Sequence, residues 1–105
     1  MDASKLKHRV TIQKRGVSQD PDGELSDGWV DVAVVWADIR HQSGLETMKG
    51  GAEASVVRAS IRIRYREGIT SGMRAVHGGI TYDIKAPLPD LARKEHVDLV
   101  CEVVS

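Results

Sequence analysis

Residues 60–66 read SIRIRYR, which sets Arg62, Arg64 and Arg66 on one side of an extended backbone and Ile61, Ile63 and Tyr65 on the other. Arg58 falls in the same phase. Guanidiniums in such a row suit bidentate contact with carboxylates or phosphates. The row can face water, another protein surface or a nucleic acid, and its spacing alone leaves all three open. The other chemistry-bearing residues are dispersed. His8, His41, His77 and His96 fall in four segments, with none of the short spacings of a zinc site. Cys101 is the only cysteine, which excludes an intrachain disulfide framework and a thiolate cluster. Its phase with Leu99 and Val103 reads as a small core hydrophobe rather than a reactive thiol. Asp38 and Asp83 read as solvated strand-face carboxylates. The glycine pairs at 50–51 and 78–79 lack the Lys and Ser/Thr of a phosphate-binding loop. No catalytic residue, metal or cofactor is expected.

The elements that must position these residues are short. A chain of 105 residues fits a single domain, 1–105, with one core. There is no Phe, so that core must come from Val, Ile and Leu with two Trp and two Tyr. Fifteen basic residues balance fifteen acidic ones, which argues against a nucleic-acid binder held by bulk charge but permits a local patch. No apolar run approaches the roughly 20 residues of a membrane span. The opening MDASKLKHRV has no signal-peptide core, so a reducing, cytoplasmic compartment is expected.

Residues 1–7 are polar enough to form a flexible N-terminal arm. In HRVTIQK, Val10 and Ile12 alternate with polar neighbours, the period of a half-buried strand. SQDPDGELSDG is turn chemistry, and WVDVAVVWADIRHQ returns as extended chain with a kink expected near 31–33. Its inward face is ambiguous, because Val34 and Trp36 compete with Val35, Ala37 and Ile39. Both faces of this strand are expected to be covered, one by the core and one by a neighbour.

The segment 43–57 reads as an excursion between strands. Ser43 and Glu46 have capping-box spacing, Leu45 and Met48 make one apolar edge, and Gly50 and Gly51 stop the element. A long loop or short helical turn is expected there. Further on, Gly78–Gly79 joins two short strands, the second with Tyr82 and Ile84 on one face. The prolines of IKAPLPDLARKE argue against a regular strand. The last run aligns Leu99 and Cys101. With Val10, Ile12, Ile61, Ile63 and Tyr65 these residues make the expected core.

About six strands without a long helix predict an all-β fold, a small and mostly antiparallel barrel. Closure is favoured because it removes edges open to uncontrolled pairing. Candidate contacts between copies are Val34 and Trp36, the excursion residues Ser43, Leu45, Glu46, Met48, Gly50 and Gly51, and the row Arg58, Arg62, Arg64 and Arg66.

In serial order the chain resembles the bacteriophage head–tail joining (head–tail adaptor or head-closure) proteins. The resemblance runs through KLKHRVTIQKR, the Asp22–Gly23 turn, Trp29, Trp36–Ala37 and the Ser43-Gly44-x-Glu46 element. It continues through Arg64-Tyr65-Arg66 with Gly68 and Ile69, then Met73, Arg74, Gly79, Tyr82, Ile84 and the strand Leu99–Glu102. Each motif is short; their order across nearly the whole chain is the specific signal. A proline expected after the first strand is missing, and the last link has its own proline pattern. The resemblance implies a non-enzymatic virion component of the head–tail connector, present in the bacterial host's cytoplasm before assembly. It implies a ring beneath the portal protein ring, assembled from neighbouring copies, with double-stranded DNA passing through without sequence recognition. A tail-side connector or tail terminator protein would dock on the far side. The alternatives are a tail terminator or other tail-side ring component, and a small nucleic-acid-binding barrel.

Overall fold

Alternating β-branched residues form strands, because one face can be buried while the other stays wet. In the computed structural model, which describes residues 2–19, 21–23, 25–47 and 53–104, this yields six strands after a 3-10 turn at Ala3–Lys5. They are β1 (His8–Gln19), β2 (Leu25–Thr47), β3 (Glu53–Arg64), β4 (Arg74–His77), β5 (Ile80–Pro89) and β6 (His96–Val104). All neighbours are antiparallel, and the order β1-β2-β3-β6-β5-β4 closes into a barrel. The segment 65–73 links β3 to a strand that is not its neighbour, and its Ile69 is buried in the core cluster with Tyr65 and Met73 packed against it.

The core is the inward phase of every strand: Val10 and Ile12, Ala37, Ala59, Ile61 and Ile63, Ala75, Tyr82 and Ile84, Val97, Leu99 and Cys101. Tyr65 differs from the expectation. It follows the last residue of β3 and is only partly buried. Small residues make room for the largest core side chain. Tyr82 pairs with Ala75, and Ala75 pairs with Ile12.

Two irregularities set which residues face out. Ile12 pairs with Ala33 but Gln13 pairs with Asp31, so Val32 is an extra residue in β2. Such a bulge bends the strand and shifts its phase, which is the kink expected near 31–33. It resolves the ambiguous face: Val35, Ala37 and Ile39 pack on the core, whereas Val34 and Trp36 face solvent. Lys85 is the corresponding extra residue in β5.

Beyond the barrel the ladders continue as two-stranded ribbons. Residues 14–19 pair with 25–30 past the point where β4 leaves β1, and 43–47 pair with 53–57 before β6 joins β3. Over 43–47 and 53–57 the expected loop or short helical turn is therefore corrected to a strand ribbon. A lone capping box is weak against a ladder that already runs through Arg40 and His41. Met48, Gly50 and Gly51 lie outside the described residues. A straight β2 of 23 residues would be roughly 75 Å long, yet the greatest extent of the molecule is 44 Å. The strand therefore curves around the barrel. The radius of gyration, 15.7 Å, exceeds the ~13 Å of a compact chain of this length, as projecting ribbons require.

In the N-terminal segment Asp2 accepts a hydrogen bond from the Ser4 amide at 3.0 Å, and Leu6 is buried. One further expectation changes. Pro87 and Pro89 lie within β5. Ile84 still exchanges backbone hydrogen bonds with Gly72 and Met73; past it β5 pairs with β6 alone, and an open edge is where a missing N–H breaks no ladder.

Replacement of Ile61, buried at the barrel centre, by alanine is expected to cost about 2–5 kcal/mol of unfolding free energy, measured from urea midpoints. A loss below about 1 kcal/mol would show that the core collapses readily around the cavity.

Candidate functional site

The arginine row does not face one thing. On β3, Arg62 pairs in register with Asp98 of β6. Its Nε and Nη2 donate to the two carboxylate oxygens at 2.7 and 2.9 Å. Arg62 is thus held by a carboxylate of its own chain. The fork geometry depresses the Asp98 carboxyl below its ordinary range, chiefly through the Arg62 hydrogen bond against an opposing burial effect. Arg58 is half-buried and lies opposite Glu102. Arg64 and Arg66 are exposed at the end of the row.

Around Arg62 the charges are matched. A hollow of about 220 Å³ is lined by Asp2, Asp38 and Asp98 and by Lys5, Arg40 and Arg62. Asp38 accepts from Arg40 Nε at 3.3 Å. Equal numbers of opposite charges leave little field to attract a charged substrate.

The two tryptophans are placed by β1 and β2. Because Val32 is extra, Trp29 and Trp36 both lie on the outer phase, opposite Arg15 and Arg9 respectively. The Arg15 guanidinium lies 4.9 Å from the Trp29 ring centroid, and that of Arg74 on β4 lies 4.2 Å away. Gln13 ties this stack together, accepting from Arg74 Nε at 2.7 Å and donating to Asp31 at 2.8 Å. Trp36 is different: Arg9 is 6.0 Å away, and the indole remains 55% exposed beside Val34 at 54%. Arg64, Tyr65 and Arg66 complete a groove against Val35 and Trp36. Sequence patterning gave Trp36 and the arginines separately. Their meeting depends on the β2–β3 register, and Arg9 carried no signal of its own.

The remaining chemistry-bearing groups serve the fold. His41 Nε2 and the Tyr82 hydroxyl lie 2.8 Å apart, so the buried tyrosine's polar tip is satisfied. His77 Nδ1 lies 2.9 Å from the Arg9 carbonyl, and its ring packs edge-on to His8. His96 sits 3.8 Å from both Asp90 and Asp98. Among the described residues no group of three or more His, Cys, Asp or Glu could hold a metal ion. Burial, with a smaller contribution from Asp83, pushes the Cys101 thiol up to about 12. Of the expected contact residues in the second ribbon, Ser43, Leu45 and Glu46 are placed by their backbone, opposite Val57, Ser55 and Ala54.

A closed barrel with paired charges, projecting ribbons and an exposed aromatic groove belongs to the class of small all-β structural units. The chain is a member of the phage head completion protein family, whose model it matches over residues 1–104. This agrees with the resemblance of its sequence to head–tail joining proteins. It is 28% identical over 74 residues to the head completion protein gp7 of Enterobacteria phage HK97, a match covering 70% of this chain and 66% of that one, just under two thirds. The solution structure of protein SF1141 from Shigella flexneri 2a superposes with a TM-score of 0.68 at 28% identity, covering 97% and 96% of the two chains. A chain from the virion of a native gene transfer agent particle shares the fold at 16% identity, with a TM-score of 0.69 over 95% and 97%. By its family the chain is a phage head completion protein.

The Arg62–Asp98 pair gives a pH-dependent prediction. A depressed carboxyl stabilises the fold fully above its unfolded value near pH 4, and that stabilisation is lost as pH falls through the lower folded value. Both side chains are partly solvated, 41% and 27% exposed, so Arg62→Ala is expected to cost about 1 kcal/mol or less at pH 7. The difference from wild type should shrink toward pH 2, read from urea unfolding at both pH values. A pH-independent difference would assign the loss to packing instead. Separately, Cys101 is expected to resist alkylation at pH 8 in the folded protein and to react at once in denaturant. Rapid labelling of the native state would contradict its buried setting.

Proposed function

We propose that this protein is a subunit of the head–tail connector, assembled as a ring of identical copies beneath the portal protein. There it extends the DNA channel and offers a surface to a tail-side connector or tail terminator protein. The observation that carries the reading is the pair of ribbons built on the two ends of β2. A ring needs heterologous contacts, in which one patch meets a different patch on the next copy. A barrel with unlike ribbons at the two ends of one strand has such patches built in. The whole chain acts as one joining domain, with 43–57 as a contact element between copies. The copies exist singly in the host cytoplasm and join on the portal template.

DNA is a passenger in this reading. Zero net charge and the pairing of Arg62 with Asp98 suit a wall that lets DNA pass, since a grip on phosphates would come from unpaired cations. The role requires no turnover.

Co-sedimentation of the purified protein with DNA-filled, tailless heads tests the proposal, with heads lacking the portal as the comparison. Binding that depends on the portal and saturates at a fixed number of copies is the expected result. Binding to isolated tails but not to heads would make it a tail-side ring component. Salt-sensitive binding to bare DNA alone would make it a nucleic-acid-binding barrel.

A further inference from the structure

We propose that the groove around Trp36 receives the acidic β1–β2 turn of a neighbouring copy. This contact rests on the ring reading and assigns its two unlike surfaces. The groove, about 300 Å³, is lined by Trp36 with Val35, Arg64, Tyr65 and Arg66, and the Arg9 guanidinium lies 6.0 Å from the Trp36 ring centroid. Among the described residues, Arg9, Arg64 and Arg66 make no ion pair, in contrast to Arg62 and Arg40. Three cations around an exposed Trp and Val fit a segment that brings carboxylates and apolar carbon together. Trp and Arg are the residues that most often anchor protein interfaces.

The chain itself supplies such a segment. From Gly16 to Ile39 there is no Lys or Arg, and the connection between β1 and β2 carries Asp20, Asp22, Glu24 and Asp27 around Pro21 and Leu25. From Ala54 to Arg66 there is no Asp or Glu. A chain with zero net charge is thus divided into an acidic pole at the end of the first ribbon and a basic pole at Arg64 and Arg66. Opposite poles on one body favour head-to-tail association.

The turn cannot serve its own groove. Leu25 lies eleven residues along β2 from Trp36, roughly 35 Å of strand, and the ladder from Gln13–Asp31 to Gln19–Leu25 holds the ribbon extended. Phosphate would also satisfy the guanidiniums. A complementary acidic segment in the same chain, at the end of a projecting ribbon, favours the second copy.

The test uses two charge-reversed forms of the full-length protein. One carries Arg64→Glu and Arg66→Glu; the other carries Asp20→Lys and Glu24→Lys, leaving the Asp22–Gly23 turn intact. Each is assayed alone and as an equimolar mixture, on portal-bearing heads and in concentrated solution by sedimentation velocity. Thermal melting establishes that each variant is folded. Either form alone is expected to assemble about tenfold more weakly or worse. The mixture should regain the wild-type level, because the turn of each form then fits the groove of the other. Rescue by mixing is the outcome that a merely misfolded variant cannot produce.

If wild type fails to bind heads, the connector reading falls, and rescue in solution still upholds this contact. Unchanged assembly of the single forms, a mixture without rescue, or wild type that associates in neither setting would overturn it. So would intact self-association with loss of DNA co-sedimentation in the Arg64/Arg66 form, which would give the groove to phosphate.

Discussion

Closure of the barrel rests on a ladder of three residue pairs, in which Thr11, Ile12 and Gln13 of β1 face Val76, Ala75 and Arg74 of β4. The rest of the sheet forms from longer pairings, so β4, four residues long, is where the barrel can open. Its central pair joins two buried residues, Ile12 and Ala75, and its outer pair carries the Arg74–Gln13 hydrogen bond. The closing ladder is therefore held by core packing on one face and by a polar tie on the other. Both ribbons depend on it. A two-stranded hairpin alone is marginal in water, and each ribbon is long only because its base is a wall of a closed sheet.

The same closure sorts the charges. Registers fixed by the barrel bring Arg62 onto Asp98 and Lys85 within 2.8 Å of Asp83. Two of the exposed arginines lie where a strand runs out: Arg64 ends β3, and Arg66 follows in the crossing segment.

The alternation of Val10 and Ile12, of Ile61 and Ile63, of Tyr82 and Ile84, and of Leu99 and Cys101 was legible because period two is a local property of the chain. What escaped was set by partners distant in sequence. Arg62 looks identical to Arg64 along the chain; only the β3–β6 register gives one a carboxylate and leaves the other exposed. Ser43 and Glu46 offered a helix signal that a continuing ladder outweighs. Pro87 and Pro89 argue against a strand by type alone, since sequence does not reveal that one edge of β5 is open. Of the groove, Trp36 and the arginines were visible as candidates, whereas Arg9 and the shape that joins them were not.

The single extra residue at Val32 links fold and surface most directly. In an unbroken strand, Trp29 and Trp36, seven positions apart, would point to opposite faces. One of them would then have to enter a core already filled by Tyr82 and its small partner Ala75. The bulge removes that conflict by restoring phase after one residue, so each indole lies over an arginine of β1 on the outside. It also bends β2 where the first ribbon leaves the barrel. A feature that reads as a local irregularity in the ladder thus keeps the core small enough to close. It also leaves both indoles on the outer phase, with Trp36 open to a partner.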